Sequence, residues 1–204
     1  MEMVCLDLEG VLVPEIWITF AEKSGVPELR LTTRDIPDYD QLMQHRLGIL
    51  RKHGIGLAAI RDVIRRIEPL PGAVGFLDAL RAETQAVICS DTFIQFAGPL
   101  MEKLNRPVLL CNELLVDADG AISGYRLRQP DGKRHAVLAF RSLNLHVTAI
   151  GDSYNDLSMI RTADRGALFR PPARITEEHP DLPVFHDYEA LLSYLLLTVV
   201  SRRP

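Results

Sequence analysis

Short apolar runs alternate with stretches of helical period along the chain, and no internal repeat or low-complexity linker interrupts them. Continuous apolar runs are typical of strands buried on both faces of a sheet, whereas apolar positions three and four residues apart predict amphipathic helices. Core strands are predicted at residues 3–8, 85–90, 108–111, 146–150 and 166–169, and a hairpin at 114–116 and 125–129. The alternation predicts an α/β fold with a doubly wound, mainly parallel, Rossmann-like sheet.

Residues 14–71, between the first two predicted strands, contain no convincing strand pattern. They contain apolar positions of helical period in three places, at 16–21, 42–50 and 57–67. A crossover between parallel strands needs only one helix. We therefore expect a helical cap at residues 14–71, inserted into a catalytic core formed by residues 1–13 and 72–204.

Composition narrows the class of protein. The chain has 204 residues, 47% of them hydrophobic, which is enough to bury one core with a small inserted subdomain. Lys and Arg number 23 against 27 Asp and Glu, and there is no basic tract, so nucleic acid is not an expected partner. The most apolar segment, residues 191–200, is too short to span a bilayer and predicts a terminal packing helix.

The cysteines and the N-terminus indicate the compartment. Cys5, Cys89 and Cys111 lie in or beside apolar runs without the spacing of metal ligands, which predicts buried free thiols in a reducing environment. The chain starts almost at once with a strand-like run, with no basic region followed by a long apolar one, so secretion is not expected. The expected location is the cytoplasm. The sequence does not define the oligomeric state, and a homodimer stays open.

Polar residues follow three of the predicted strands, where ligands of doubly wound sheets bind. The set comprises Asp7 and Glu9 after the first strand, Ser90, Asp91 and Thr92 after the second, and Asp152 and Asp156 after the fourth. Strand alternation would place Asp7 and Glu9 on one side, where carboxylates repel unless a cation or a shared proton offsets them. The carboxylates of Asp7, Glu9, Asp152 and Asp156 at one sheet edge therefore favour a hard divalent cation, and oxygen-only ligands favour Mg²⁺ over zinc.

Asp156 also fits a second interpretation. Ser153 followed by Asp156 matches a capping box, and an acid in a first helical turn favours the helix dipole. Capping and metal binding are compatible.

A strand-end Asp, a hydroxyl and Mg²⁺ suit phosphoryl transfer, because charge neutralisation and positioning supply most of that catalysis. An aspartate can attack phosphorus directly and form an acyl phosphate. Lys133, at the start of a predicted helix, is the best candidate for the cation that steadies Asp7 and the phosphoryl oxygens, although an exposed turn lysine is the ordinary alternative. We interpret Arg134 and Arg141 as surface residues.

These residues resemble, in order, the four motifs of the haloacid dehalogenase-like superfamily of phosphatases. The motifs are Asp7-Leu8-Glu9-Gly10-Val11, Ser90-Asp91-Thr92, Lys133 and Gly151-Asp152-Ser153-Tyr154-Asn155-Asp156. The resemblance implies that Asp7 is the nucleophile and Glu9 the general acid/base. It implies phosphoryl or substrate binding by Ser90, Asp91, Thr92, Lys133 and Asn155. It implies that Mg²⁺ is held by Asp7, the backbone carbonyl of Glu9 and Asp152, with Asp156 as a supporting or additional ligand.

The predicted cap resembles that of phosphoserine phosphatases, in which a Glu and an Arg bind the substrate's amino and carboxylate groups. The matching residues are Glu15 and Arg46. Arg46 lies on the apolar face of its helix, where a guanidinium needs a partner, and a substrate carboxylate is a bidentate one. A snorkelling or salt-bridged Arg46 and a first-turn helix acid at Glu15 are the alternatives.

Glu9 departs from the superfamily's pattern, since most members have Asp there, and the longer side chain should move the acid/base carboxyl. With residues 34–40, the first motif and GDSYND, the chain resembles a bacterial family of bifunctional phosphoserine phosphatases that also transfer phosphate to homoserine. The resemblance implies phosphoserine, and homoserine as acceptor, in amino-acid metabolism. Alternatives are a phosphatase of another small phosphometabolite, a signalling receiver domain, which the inserted helices and chain length disfavour, and a noncatalytic relative.

Overall fold

The computed structural model describes residues 1–33, 35–36 and 38–201, with side chains up to residue 197. Its centre is a seven-stranded sheet in the order β4-β3-β2-β1-β5-β6-β7, parallel throughout except for the antiparallel pair β3 and β4. The strands are β1 Glu2–Leu6, β2 Gln85–Phe93, β3 Val108–Val116, β4 Ile122–Arg126, β5 His146–Gly151, β6 Arg165–Phe169 and β7 Val184–Phe185. The predicted α/β class is confirmed.

Nine α-helices connect and flank the described strands. They are α1 Ile16–Ser24, α2 Tyr39–Lys52, α3 Leu57–Ile64, α4 Ala73–Glu83, α5 Ile94–Lys103, α6 Gly132–Ser142, α7 Leu157–Thr162, α8 Ala173–Glu178 and α9 Tyr188–Ser201. Among the described residues, no helix is both long and apolar enough to cross a membrane. The predicted terminal helix exists and begins three residues earlier than expected, at Tyr188.

The central strand β1 determines where the sheet can bind a ligand. Leu6 pairs with Ile88 of β2 on one side and with Ile150 of β5 on the other. Alternate β1 side chains enter different hydrophobic clusters, with Val4 and Leu6 in one and Cys5 in the other, so both faces of the strand are covered. The carboxyl ends of β2, β1 and β5 therefore adjoin at the sheet's topological switch point.

The elements α1, α2, α3 and a short 3-10 helix, Pro27–Arg30, occupy the segment between β1 and α4, as predicted. This segment, residues 14–71, is called the cap below; its division from the core stays a prediction. Its apolar side chains join the larger hydrophobic cluster of the core, and the Trp17 ring meets Phe96 of α5 edge-on at 5.6 Å between centroids. Of the segment 34–40, Arg34 and Pro37 lie outside the described residues.

Several predicted boundaries were wrong. β1 ends at Leu6, because Leu8 O accepts hydrogen bonds from the amides of Leu12 and Val13 and the chain turns. The first hairpin strand is the continuation of β3, and the second, Ile122–Arg126, ends three residues before the predicted 129. β7 was missed because two residues carry no periodicity. All three cysteines are free, but Cys111 is only half-buried.

Candidate active site

A cavity of about 800 Å³ is lined both by the cap and by the carboxyl ends of the central strands. Predicted site residues that line it are Asp7, Glu9, Glu15, Arg46, Ser90, Asp91, Thr92, Lys133, Asp152 and Asn155. Asp156 is fully buried and contacts Lys133 and the Asp152 amide from the protein interior. The structure therefore brings the set predicted from separate strand ends into one place.

The turn after β1 orients Asp7. The Leu8 amide donates to Asp7 Oδ1 at 2.7 Å, and the Asp7 amide donates to Ile150 O at 2.9 Å. Gly10 has φ +79°, a left-handed conformation that favours glycine, and a methyl group there would collide with the carboxylate of Asp152. The turn thus fixes the Asp7 carboxyl and admits Asp152 close beside it.

Three buried carboxylates form a cluster in which one oxygen from each lies within 4.8 Å of the others: those of Asp7, Asp152 and Asp156. Burial, and then the Asp156 carboxylate, raises the pKa of Asp7 well above its ordinary value and that of Asp152 from 3.8 to about 7. Carboxylates that are buried and close together in this way indicate a site built around a positive charge.

The Lys133 ammonium supplies one positive charge. It is 4% exposed, and Nζ lies 2.7 Å from Asp156 Oδ1, 2.9 Å from Asp7 Oδ1 and 3.6 Å from Asp91 Oδ2. Burial alone would lower the pKa of Lys133, but these carboxylates outweigh it and raise the pKa well above its ordinary value. The alternative of an exposed turn lysine is wrong.

The cluster fits a hard divalent cation. Three carboxylates and one ammonium leave two negative charges, which one such ion would balance, and every donor is an oxygen. Asp156 is the member most occupied by protein groups. Its Oδ1 accepts from Lys133, and its Oδ2 accepts from the amides of Asp152 and Ser153 at 3.0 and 3.1 Å. Asp156 thus receives the Ser153 amide, as the acid of a capping box does, within the carboxylate cluster.

The segment after the buried part of β2 is a bulge rather than a strand end. Cys89 pairs with Leu110 and Phe93 with Asn112, so residues 90–92 face one residue of β3. The Ser90 hydroxyl accepts from the Thr92 amide at 3.2 Å. The Thr92 hydroxyl, in a residue 4% exposed, has no hydrogen-bond partner among the described residues. Such a buried hydroxyl is suited to bind an oxygen of a ligand.

Asn155 is exposed at the cavity, and its side-chain amide already makes two hydrogen bonds within the protein. Its Nδ2 donates to Asp91 Oδ2 at 3.0 Å, while its Oδ1 accepts from the Ser153 hydroxyl at 2.5 Å. Asp91 thereby receives the Asn155 amide and lies near Lys133. In this structure both residues border the predicted phosphoryl site and contact each other.

Glu9 reaches the cavity from the turn, not by strand alternation, so that part of the prediction was wrong. Its Oε2 accepts from the Ile16 amide at 2.8 Å, which places the carboxyl at the N-terminus of α1. Burial, followed by the nearby Glu15, raises the pKa of Glu9 from 4.5 to about 8. Its proton can therefore be exchanged near neutral pH, as acid/base catalysis requires.

Arg46 of α2 is 6% exposed and has no carboxylate partner within the described part of the chain. Its Nη2 donates to Leu31 O at 2.9 Å, its guanidinium lies 4.5 Å from the centroid of the Trp17 ring, and Nε is unpaired among these residues. Burial lowers the pKa of Arg46 to about 10, so the group stays charged at neutral pH. Glu9 and Glu15 are near enough to counter this lowering, but among the described residues neither forms an ion pair with the guanidinium. A buried cation without a paired carboxylate fits an anionic ligand.

Glu15 is half-buried and lines the same cavity. It occupies the N-cap position of α1, yet its side chain makes no capping hydrogen bond with the described residues. Glu9 accepts from that helix terminus instead. The Glu15 carboxylate is therefore not needed for the helix end and faces the ligand space together with Arg46.

Trp17, Tyr39 and Asn112 are among the cavity residues that sequence reasoning missed. Trp17 belongs to the apolar helical pattern at 16–21, but its ring also lies against the Arg46 guanidinium. Asn112 directly follows the predicted strand 108–111, so the strand-end rule that found Asp7 could have found it. Tyr39 is seven residues before Arg46, a spacing that places both on one helical face.

The sequence profile of the haloacid dehalogenase-like hydrolases matches residues 17–161, more than half of the chain. The chain therefore belongs to the haloacid dehalogenase-like hydrolase family, which sets aside the receiver-domain alternative. It is 54% identical over 191 residues to a protein of Pseudomonas aeruginosa named phosphoserine phosphatase ThrH, covering 94% of this chain and 93% of that one. A phosphoserine phosphatase of Pseudomonas syringae pv. tomato is 54% identical over 190 residues, covering 93% and 80%.

Solved structures agree on the fold. A phosphoserine phosphatase in its apo form superposes with a TM-score of 0.77 at 20% identity, covering 95% of this chain and 98% of the other. A phospho-aspartyl intermediate analogue of phosphoserine phosphatase gives a TM-score of 0.75 with the same identity and coverage. These similarities confirm the α/β architecture.

Proposed function

We propose that this protein is a Mg²⁺-dependent phosphoserine phosphatase that acts through a phosphoaspartyl form of Asp7 and also transfers the phosphoryl group to homoserine. One observation carries the proposal. The buried Arg46 guanidinium has no carboxylate partner among the described residues and lines the same cavity as Asp7 and Lys133. A ligand with a phosphoryl group at one end and a carboxylate at the other satisfies both. The names of the two Pseudomonas relatives support the same substrate.

Recognition divides between the cap and the core. In the proposal, Arg46 binds the substrate carboxylate and Glu15 its amino group. Ser90, Thr92 and Lys133 bind the phosphoryl oxygens, and the unpartnered Thr92 hydroxyl acquires its missing partner. Asn155 and Asp91 border this site, with the Asn155 amide on Asp91.

Mg²⁺ would be held by Asp7, Asp152 and the backbone carbonyl of Glu9, and when bound it supplies positive charge for phosphoryl transfer. Asp156 supports this arrangement, since its carboxylate oxygens are occupied by Lys133 and by the amides of Asp152 and Ser153. Its role is to orient Asp152 and Lys133.

The chemistry takes two displacement steps. A carboxylate oxygen of Asp7 attacks phosphorus, the bond from phosphorus to the serine oxygen breaks, and neutral Glu9 gives its proton to that oxygen. Water then attacks phosphorus of the acyl phosphate while Glu9 takes a water proton. The bond from phosphorus to Asp7 breaks, which restores the carboxylate and releases inorganic phosphate.

Transfer uses the same second step with an alcohol in place of water. Homoserine has the amino and carboxylate groups that Glu15 and Arg46 would bind, and one more methylene before its hydroxyl. Serine must leave before homoserine enters, so we expect ping-pong kinetics. Water competes, and the share of transfer should rise with homoserine concentration.

The test of substrate compares three monoesters in the presence of Mg²⁺: phosphoserine, phosphoethanolamine, which lacks the carboxylate, and O-phospho-3-hydroxypropionate, which lacks the amino group. Loss of one charged contact should lower kcat/KM roughly 10- to 100-fold. Equal kcat/KM for all three would show that another small phosphometabolite is the substrate.

The test of transfer adds excess homoserine to phosphoserine and Mg²⁺ without any nucleotide. Phosphohomoserine and inorganic phosphate are quantified separately. If phosphoserine is consumed and no phosphohomoserine forms at any homoserine concentration, the protein is a phosphatase without transferase activity.

A further inference from the structure

The bulge at residues 90–92, which carries the predicted phosphoryl-binding hydroxyls, has one backbone carbonyl, Asp91 O, that accepts hydrogen bonds from side chains. Residues 90–92 face one residue of β3, and Asp91 O accepts a hydrogen bond from the Tyr39 hydroxyl at 3.1 Å and from Asn112 Nδ2 at 3.3 Å. Asn112 is in turn held by the Arg128 amide, which donates to its Oδ1 at 3.0 Å. A core residue and a cap residue thus fix the same carbonyl.

Tyr39 is the first residue of α2, and Arg46 lies seven residues later. Seven residues turn an α-helix to within about 20° of the starting direction, so both side chains lie on one face. The same end of α2 contacts the hairpin, because the Tyr125 hydroxyl donates to Asp40 Oδ1 at 2.5 Å and the Tyr39 and Tyr125 rings meet edge-on at 5.8 Å. The helix that carries Arg46 is therefore anchored at the phosphoryl site.

We propose that Tyr39 is a positioning residue that couples occupation of the phosphoryl site at Ser90 and Thr92 to the placement of Arg46. The proposal rests on the proposed function for the identity of the ligand that spans both sites. The contact that carries it is the hydrogen bond from the Tyr39 hydroxyl to Asp91 O, the carbonyl between the two hydroxyl residues.

The coupling follows from linkage. A phosphoryl group bound by the hydroxyls of Ser90 and Thr92 restrains the bulge, and a restrained Asp91 carbonyl favours the bond to Tyr39. This bond disfavours openings of α2 that move Arg46 away from the cavity. Linkage is reciprocal, so a carboxylate bound at Arg46 must favour phosphoryl binding by the same factor. An ester with both groups gains from the coupling, and one without a carboxylate does not.

The first test needs no turnover of phosphoserine. Amide hydrogen exchange is measured across α2, Tyr39–Lys52, with Mg²⁺ alone and with Mg²⁺ and saturating inorganic phosphate. We expect phosphate to slow exchange in α2 roughly fivefold in the wild-type protein, the lower end of ordinary coupling free energies. Tyr39→Phe should lose this slowing. If phosphate binds the wild-type protein and leaves α2 exchange unchanged, the coupling does not exist.

The matched control is Tyr194→Phe. Tyr194 is also half-buried and its hydroxyl also donates to a backbone carbonyl, Gly166 O at 3.3 Å, but it does not line the cavity. This variant should retain the phosphate effect on α2. Loss of the effect in both variants would indicate a general loss of stability and would contradict a specific role for Tyr39.

The second test compares kcat/KM for phosphoserine with kcat/KM for phosphoethanolamine. The ratio should fall roughly fivefold in Tyr39→Phe, the worth of about one hydrogen bond, chiefly through the KM of phosphoserine, and should be unchanged in Tyr194→Phe. An unchanged ratio in Tyr39→Phe would overturn the proposal. If the wild-type protein does not turn over phosphoserine at all, the proposed function fails, and the exchange measurement still decides the coupling.

Discussion

At the scale of single residues, the hydrogen-bond and ion-pair partners that a buried side chain lacks indicate what it binds. Arg46 is a buried cation without a carboxylate partner in the described structure, and Thr92 has a buried hydroxyl without any partner there. Asp7 has the opposite environment, since Lys133 and a backbone amide hold its Oδ1. An unsatisfied buried group identifies where a ligand binds, whereas the contacts to Oδ1 orient the Asp7 carboxylate.

The first prediction concerns Asp7→Asn. The amide cannot act as an attacking carboxylate, so phosphoserine turnover should fall to background, while the variant folds because one buried like charge is removed. Steady-state phosphate release and circular dichroism check this. Asp117→Asn, a change at an exposed acid of the β3–β4 turn, should leave turnover unchanged. Near-normal turnover by this variant would exclude Asp7 as the nucleophile.

The second prediction concerns Arg46→Lys. Lysine keeps the charge but loses the planar fork, so the KM for phosphoserine should rise roughly tenfold or more, the worth of one charge-assisted hydrogen bond. Phosphoethanolamine, which has no carboxylate, is the matched substrate, and its KM should change far less. An equal rise in KM for both substrates would show that Arg46 has a structural role, through its contacts with the Trp17 ring and Leu31 O.

The residues that sequence could predict are those whose type is unusual for their position. Asp7 and Asp152 directly follow apolar strands, and Lys133 lies in the first turn of a helix. A charge has no packing role at these positions, so the three residues can be found without a structure. Tyr39 could not be found in this way, because its function depends on the Asp91 carbonyl, and a bulge in β2 leaves no signature in the sequence of α2.

At the scale of elements, the turn after β1 is held by close contacts on both sides. The amide of Gly10 donates to Val13 O at 2.8 Å, and its Cα packs against the Asp152 carboxylate. The turn also directs the Glu9 carboxyl to the α1 terminus, where it accepts from Ile16. Strand alternation predicted the correct side for Glu9 for the wrong reason, since periodicity does not reveal where a strand stops.

The third prediction uses this turn. Gly10→Ala should lower the free energy of unfolding by about 1–2 kcal/mol, because a non-glycine residue is strained at positive φ, and should also displace Asp152. The Mg²⁺ concentration for half-maximal activity should therefore rise several-fold.

The matched control for the turn is Gly25→Ala. Gly25 has a similar φ of +72°, but no described atom lies within 4 Å of the added methyl group. Gly25→Ala should lower the free energy of unfolding in the same way but leave the Mg²⁺ dependence unchanged. If both variants shift the Mg²⁺ dependence equally, close packing of the turn on Asp152 is not what matters.

At the scale of the whole molecule, an excess of buried negative charge makes stability depend on pH and metal. Folding raises the pKa of Asp152 from 3.8 to about 7 and that of Glu9 from 4.5 to about 8. At a pH between the unfolded and the folded pKa of either carboxyl, the folded state holds a proton that the unfolded state has released. Stability therefore falls as pH rises through this window, and it is fully retained only below the unfolded pKa values.

The fourth prediction follows from that sign. Without metal, the free energy of unfolding should decrease from pH 5 to pH 7, by roughly 1.4 kcal/mol per pH unit for each proton involved. Mg²⁺ should stabilise the protein more at pH 7.5 than at pH 5.5. Urea unfolding at several pH values measures both effects, and Asp152→Asn should make the slope shallower. A metal-free protein whose stability rises over this range would contradict the charge cluster.

The architecture was the most predictable level. Buried strands that alternate with helices are encoded in the apolar pattern. The helical patterns at 16–21, 42–50 and 57–67 predicted the inserted helices, which the structure has at 16–24, 39–52 and 57–64. The sheet order was less predictable, because the adjacency of β1, β2 and β5 is a tertiary property. The convergence of Asp7, Ser90 and Asp152 followed from a general rule about strand ends, and the distances between them required the structure.

The most direct test of the account is rapid acid quenching of the wild-type enzyme during turnover of phosphoserine labelled in its phosphoryl group, with Mg²⁺ present. We expect label on the protein at up to one equivalent, lost on treatment with hydroxylamine as an acyl phosphate is, and located on the peptide that contains Asp7. Excess homoserine should move that label into phosphohomoserine. Steady release of labelled phosphate with unlabelled protein at every quench time, or label on a residue other than Asp7, would contradict the account.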